Sequence, residues 1–312
     1  DTLSNVCKKG KGESVFAGQM LVLACKMLID IYAKLGKDST RFKEILDRQM
    51  RVMNEFAWNE DRYIRAVSDE GLKIGHRDER CGSLWLNSQS WAVISGVADR
   101  EKGNKIFDTV MSTLDCGYGL VKLYPPLVRN YPSKENELTF AQPGVGENGG
   151  VFCHANTWAI ISLCMLGRNN EAFKLYKDAI PDSIVGKYGV ERYCSEPYIY
   201  SSNVRGPQTT DPGKAGVSWL TGTATWMQIT LEEYIYGVKP TFEGLRLSPC
   251  IPDEWESVKV KRKFRNTEYD IEIDNSAKCG NRVKAIFVNG KEIEGNIVLS
   301  TDKKVDVRVV MG

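Results

Sequence analysis

Three short polar clusters stand at the starts of apolar segments: Asn87-Ser88-Gln89-Ser90-Trp91, Cys153-His154-Ala155-Asn156 and Ser218-Trp219-Leu220-Thr221-Gly222-Thr223. The first turn of a helix leaves backbone N–H groups without partners and carries partial positive charge, so an anion is stabilised there. Thr221 adds a hydroxyl, Gly222 lets an oxyanion approach its N–H closely, and His154 brings an imidazole to the second cluster. The plainer alternative, that these residues only cap helices, remains open at this level. Glu137, Glu147 and Glu196 lie in segments rich in Gly, Pro and Tyr. Rings that stack on the apolar faces of sugars, beside acids and amides that bond their hydroxyls, suit a carbohydrate; solvated surface acids are the alternative. With two histidines, His76 and His154, no zinc or other metal site is expected.

The elements that must position these groups read as helices in unlike pairs over residues 1–240. Segments 13–35, 90–97, 156–166 and 221–236 are apolar almost all round, as in helices buried on every side. Segments 40–57, 101–114 and 170–180 carry one apolar stripe. Apolar inner helices alternating with amphipathic outer ones predict a mainly α fold, a partial (α/α)6 toroid of about half the ring. Parallel inner helices would open their N-termini on one mouth. Arg62-Tyr63-Ile64-Arg65-Ala66-Val67, then Leu72-Lys73-Ile74, reads as a rim hairpin, and residues 115–154 and 181–218 as long loops of the kind that carry function. Past Pro240 the period changes to two, and Asn289-Gly290 is a hairpin turn, so residues 241–312 are predicted to form a small antiparallel β domain.

Charge is balanced, 42 Lys+Arg against 40 Asp+Glu, giving no electrostatic case for nucleic acid or an anionic membrane. The apolar run 20–29 is interrupted by Lys26 and is too short to span a bilayer. Nine cysteines without C-x-x-C spacing read as buried free thiols in a reducing compartment, hence a cytoplasmic expectation. The opening Asp-Thr-Leu and the half-ring suggest that preceding sequence is missing.

Six blocks carry a more specific resemblance. Glu147-Asn-Gly-Gly-Val-Phe-Cys-His154 with Trp158-Ala159, and Ser218-Trp-Leu-Thr-Gly-Thr-Ala224 with Trp226, stand beside Gly12-Glu-Ser-Val15, Gln89-Ser-Trp-Ala-Val-Ile-Ser-Gly96, Glu196-Pro-Tyr-Ile-Tyr200 and Gly244-Leu-Arg-Leu-Ser-Pro-Cys-Ile-Pro252. In their order along the chain they resemble the inverting glycoside phosphorylases of the cellobiose/cellodextrin phosphorylase family (glycoside hydrolase family 94, formerly glycosyltransferase family 36), C-terminal portion. The resemblance implies that phosphate cleaves a β-linked gluco-oligosaccharide (cellobiose, cellodextrin or β-1,2-glucan type), reversibly and with inversion, to α-glucose 1-phosphate. It implies His154, Thr221 and Gly222 as phosphate-binding residues, helped by an arginine from elsewhere. It implies Asp1 as the general acid, at the last position of the family's D-W-N-D segment, and Gln89, Glu137, Glu147 and Glu196 as substrate-binding residues. No cofactor is implied, phosphate being a substrate; members are often dimers through regions outside this chain. Gly146 stands where cellobiose phosphorylases carry Lys, and Ser201-Ser202 where Ala-Gln is frequent, so the acceptor sugar is left undefined. An inverting hydrolase on the same toroid, and an inactive sugar-binding fragment, are the alternatives; the 312 residues alone are expected to be nearly inactive.

Overall fold

The structure, a computed structural model, describes residues 5, 7–134, 137–138 and 141–312. Its helices are α1 (Val15–Lys34), α2 (Thr40–Val52), α3 (Leu86–Ile94), α4 (Arg100–Leu114), α5 (Cys153–Leu166), α6 (Asn169–Asp178), α7 (Pro181–Tyr188), α8 (Val190–Tyr193) and α9 (Thr223–Ile229). Two wider-wound turns, Met53–Ala57 and Thr230–Ile235, prolong α2 and α9. The chain divides into two compact units, Asp1–Ser162 with Asp178–Thr223, and Leu163–Lys177 with Ala224–Gly312.

In the first unit, Ser14 caps α1 by accepting from Ala17 N, and Asp99 caps α4 by accepting from Lys102 N. α1 packs on α2 and α3. Gln19 donates to the Ser88 carbonyl at 2.9 Å, and Lys26 to that of Ser95 at 2.6 Å. Burial on every side is not what α1 shows: Val15, Gln19, Val22 and Cys25 are buried, whereas Met20, Leu21 and Met27 stand 43, 39 and 57 % exposed. Composition reports that a face is apolar; whether another element covers it is a tertiary matter. The 20 residues of α1 are also long and apolar enough to cross a bilayer, more than the run 20–29 suggested, although Gln19 and Lys26 are engaged inside the unit.

Short strands set the helix starts. Leu84–Trp85 pairs with Leu123–Tyr124 and leads straight into α3; Val151–Phe152 pairs with Asn203–Val204 and leads into α5. The rim hairpin forms between Ala66–Val67 and Lys73–Ile74, with Glu13–Ser14 on its other edge. Arg62–Tyr63 instead pairs back with Trp58–Asn59. The segment expected as an open loop over 181–218 contains α7 and α8: Pro181 sits at the helix start, where its missing N–H costs nothing, and Ile184 and Tyr193 are buried.

The second unit holds the period-two sequence as a five-stranded sheet. Its spatial order is Ser257–Phe264, Thr267–Asp274, Lys304–Met311, Val283–Val288, Lys291–Ile293. The Asn289-Gly290 turn forms as expected, with φ of 49° and 78°. The sheet is not purely antiparallel: Thr267–Asp274 and Lys304–Met311 run parallel, Ile271 facing Val307. Alternation fixes which side chains face inward, here Tyr269, Ile271, Ile273, Val305, Val307 and Val309, and carries no information on strand direction. The 275–303 connection, which holds the Val283–Ile293 hairpin, supplies the crossover a parallel pair needs. Asn169 of α6 donates to the Ile251 carbonyl and to Asp253, both at 2.8 Å.

Candidate active site

His154 is the second residue of α5, directly after a strand paired on its far side. Asn156 staples this helix start to the 120–123 segment, accepting from Leu120 N at 2.7 Å and donating to the carbonyls of Leu120 and Phe152. The imidazole lies 4.7 Å, centroid to centroid, from the Trp158 ring. A Cβ placed on Gly222 would come within 3.2 Å of its Cε1. The imidazole and the Thr221-Gly222 backbone therefore face one another, and glycine is what leaves room between them. Thr221 Oγ1 sits 2.5 Å from Thr223 Oγ1 and accepts from Thr223 N at 3.2 Å. Its hydroxyl thus does part of the capping work that the plainer reading assigned to it, at the start of α9.

The charge of Lys122, which reaches His154, belongs to a cluster of buried charge. Lys122 has a side chain only 8 % exposed, and its ammonium is 2.5 Å from the Glu147 carboxylate. It also rests 4.3 Å from the centre of the Phe152 ring. Main-chain bonds from Lys122 N to Gly150 O (2.8 Å) and from Leu86 N to Lys122 O (2.9 Å) hold this segment between the start of α3 and the loop before α5. Arg65, fully buried, lies against Phe16 and Trp85 and donates to Ser14 Oγ at 3.0 Å. Burial lowers the Arg65 guanidinium and the Lys122 ammonium from their usual ranges, and the Glu147 charge opposes both shifts. Burial, and then the Lys122 charge, push the His154 imidazole down, towards its neutral form. An imidazole held towards its neutral form, a hydroxyl, a glycine N–H and buried cations nearby are groups that can stabilise an anion.

Glu147 itself is placed by a loop that tolerates little change. Asn148 donates to the carbonyls of Leu127 and Ala141 and accepts from Leu127 N. A Cβ at Gly150 would come within 2.7 Å of Gly146 N. Gly146, with φ of 54°, faces open space.

Glu196 forms a second centre. Ser195 Oγ donates to one carboxylate oxygen at 2.8 Å and the Trp219 indole N–H to the other at 3.1 Å. Its own backbone N–H, then Ser195 and Trp219, hold its carboxyl down to about 2. Gln89 is fully buried on α3: Oε1 accepts from Tyr63 N at 2.8 Å, and Nε2 donates to the carbonyls of Tyr63 (2.8 Å) and Trp85 (3.0 Å). Glu137 is buried too, accepting from Asn130 N at 3.0 Å while its carbonyl accepts from Asn5. The structure thus brings His154 and Gly222 together with Thr221 next in the chain, pairs Glu147 with Lys122 and Glu196 with Trp219, and engages Gln89 and Glu137 with the backbone. Asp1 lies outside the described residues. Lys122 and Arg65 were not among the expected site residues; the signal for Lys122 is one cation inside the apolar run Leu120-Val121-Lys122-Leu123. Among the described residues, no three His, Cys, Asp or Glu side chains gather to hold a metal ion.

Residues 1–237 match the family model described as "Glycosyl hydrolase 94 superfamily, catalytic domain". The chain belongs to this superfamily. Among curated relatives, the solabiose phosphorylase of Paenibacillus borealis is 35 % identical over 302 residues, covering 95 % of this chain and 39 % of that protein. The N,N'-diacetylchitobiose phosphorylase of Vibrio proteolyticus is 34 % identical, covering 92 % of this chain and 36 % of that one. The 3-O-beta-D-glucopyranosyl-beta-D-glucuronide phosphorylase of Paenibacillus borealis is 29 % identical, covering 93 % and 38 % respectively. The chain therefore spans under two fifths of the length of each of these superfamily relatives.

Proposed function

We propose that the protein containing this chain is an inverting glycoside phosphorylase that cleaves β-linked gluco-oligosaccharides with inorganic phosphate. The observation that carries the reading is the closeness of the His154 imidazole to Gly222, which puts both within reach of one anion. Superfamily membership and relatives named as phosphorylases support it.

In inverting hydrolysis one carboxyl protonates the leaving oxygen and a second activates water. Phosphate arrives already charged, so no base is needed. Its oxygen attacks the anomeric carbon from the face opposite the aglycone, and the glycosidic C–O bond breaks. The leaving oxygen takes a proton from the acid, for which Asp1 is our assignment. Products are α-glucose 1-phosphate and a shortened sugar. General acid assistance of this kind contributes ~10²–10⁴-fold. His154, Thr221 and Gly222 would hold the phosphate, with the Lys122 charge reaching His154. We assign the helices to part of an (α/α)6 ring completed by sequence outside this chain, and phosphate as the only co-reactant.

The test is turnover of cellobiose, laminaribiose, sophorose and N,N'-diacetylchitobiose by the full-length protein, with and without phosphate. The expected result is a sugar 1-phosphate formed only in phosphate. Free monosaccharide released at an equal rate in phosphate-free buffer would establish a hydrolase instead.

A further inference from the structure

Trp219 is an unusual surface residue. It is 74 % exposed, and its backbone φ of 60° lies in the left-handed region that aromatic residues rarely adopt. Nothing about its own conformation favours this placement, so the surrounding structure holds it. The segments on either side of it are stitched together: Ser202 N donates to Val217 O at 2.8 Å, and Ser201 bridges Ser218. The indole N–H is tied to Glu196 at 3.1 Å, and Glu196 in turn accepts from Ser195. A turn closed by Ile199 N to Glu196 O presents Tyr198, 77 % exposed, two residues from the same carboxylate. Thr221 follows Trp219 by two residues, a reach of at most about 7 Å.

We propose that Trp219 is a stacking platform for a pyranose ring of the substrate, and that Glu196 both tethers the indole and accepts hydrogen bonds from that ring's hydroxyls. This rests on the phosphorolysis reading and adds to it a residue that determines sugar binding. The chemistry favours a sugar over an apolar protein face. A hydrophobic partner lying on Trp219 would strip water from the ionised Glu196 carboxylate without replacing its hydrogen bonds. A pyranose offers an apolar C–H face to the indole and hydroxyl donors to the carboxylate at the ring's edge. Both indole and carboxylate are already fixed, so little ordering remains to be done on binding.

The experiment measures phosphorolysis kinetics of the full-length protein with the four disaccharides named above, comparing Trp219→Asn, Trp219→Phe and Glu196→Gln with the parent. Asn tolerates the left-handed backbone, so Trp219→Asn removes the ring while keeping the loop. Trp219→Asn is expected to raise the disaccharide KM about tenfold, and Trp219→Phe, which keeps a ring but loses the tether, about threefold. The phosphate KM should move less than about twofold in both, because the anion pocket is untouched. Glu196→Gln should raise the disaccharide KM as well, as it weakens both the tether and the acceptor. An unchanged disaccharide KM in Trp219→Asn overturns the platform, as does a parallel rise in both KM values, which would mean that the loop merely supports the anion pocket. A parent protein with no phosphate-dependent turnover of any of the four sugars refutes the phosphorolysis reading itself, a distinct outcome.

Discussion

Replacing Lys122 by Met keeps the length and apolar stem of the side chain and deletes its charge, leaving the Glu147 carboxylate without its ion-pair partner. Removing one member of a fully buried pair costs ~3–5 kcal/mol, because the surviving charge stays desolvated. Two features reduce that figure here. Glu147 retains 28 % of its exposure, so water recovers part of the loss, and the variant no longer has to desolvate an ammonium whose side chain is only 8 % exposed. The contact with Phe152, 4.3 Å from the ammonium, adds a fraction of a kcal/mol back. The net expectation is a destabilisation of about 2–3 kcal/mol. Urea unfolding followed by tryptophan fluorescence reads it out in the right place, since Trp58, Trp85, Trp91, Trp158 and Trp219 belong to the first unit. Adding Glu147→Gln should restore about 1–2 kcal/mol of the loss, the signature of a coupled pair. The same variant carries a second readout. Burial and the Lys122 charge hold the His154 imidazole below its ordinary range. The folded chain then binds fewer protons than the unfolded one, so the stability contributed by His154 is present above about pH 6.5 and is lost as pH falls through the folded midpoint. Without the Lys122 charge that midpoint should rise and the acid-side loss should shrink. The chain has two histidines, so imidazole NMR with His154→Gln for assignment follows the titration directly. A Lys122→Met variant as stable as the parent to within about 0.5 kcal/mol, with an unmoved His154 midpoint, would refute the buried-charge account.

Three further outcomes follow from the geometry. Gly222→Ala places a methyl 3.2 Å from the His154 Cε1, so the phosphate KM should rise about tenfold while disaccharide KM and thermal stability change little; initial-rate kinetics in both substrates decide it. Gln89→Leu leaves Tyr63 N and the carbonyls of Tyr63 and Trp85 without their buried partner, a loss of about 2–4 kcal/mol in urea unfolding; a disaccharide KM raised in the folded enzyme would support the substrate-contact role, an unchanged one a purely structural role. Gly150→Ala drives a Cβ to 2.7 Å from Gly146 N, and should cost about 2–3 kcal/mol by shifting the loop that carries Glu147, seen as a lowered urea midpoint.

The parts of the site legible in the sequence are those whose residue types state their own backbone context. Gly222 beside Thr221, and His154 directly after an apolar strand, announce helix starts, and helix starts are where backbone N–H groups lie uncovered. The relation between helix stripes and cover was less readable. α1 looks buried all round because every face is apolar, yet Met27 is 57 % exposed. Polar clusters also hide their direction: Gln89 stands among Asn87, Ser88 and Ser90, and only the fold shows that its amide faces the Tyr63 and Trp85 backbone. Strand direction was invisible for the same kind of reason, since the inward faces of a parallel and an antiparallel pair have identical period-two patterns.

Lys122 is the instructive omission. A single cation in Leu120-Val121-Lys122-Leu123, inside a segment read as a long loop, carries no local sign of a buried partner. It points inward because Glu147, 25 residues later, is brought back by the Gly149-Gly150 turn to meet it. Neither partner would be stable in that place alone, and the distance along the chain keeps the pair out of any local pattern. Their pairing has a chemical consequence for the pocket. If His154 were fully protonated it would hold phosphate most tightly in the ground state, and binding that is equal in ground and transition states does not accelerate the chemical step. An imidazole held towards its neutral form beside the Lys122–Glu147 pair would, on the proposed reading, bond to phosphate without that excess attraction. On the proposed phosphorolysis reading, the Lys122–Glu147 pair would tune anion binding through its effect on His154.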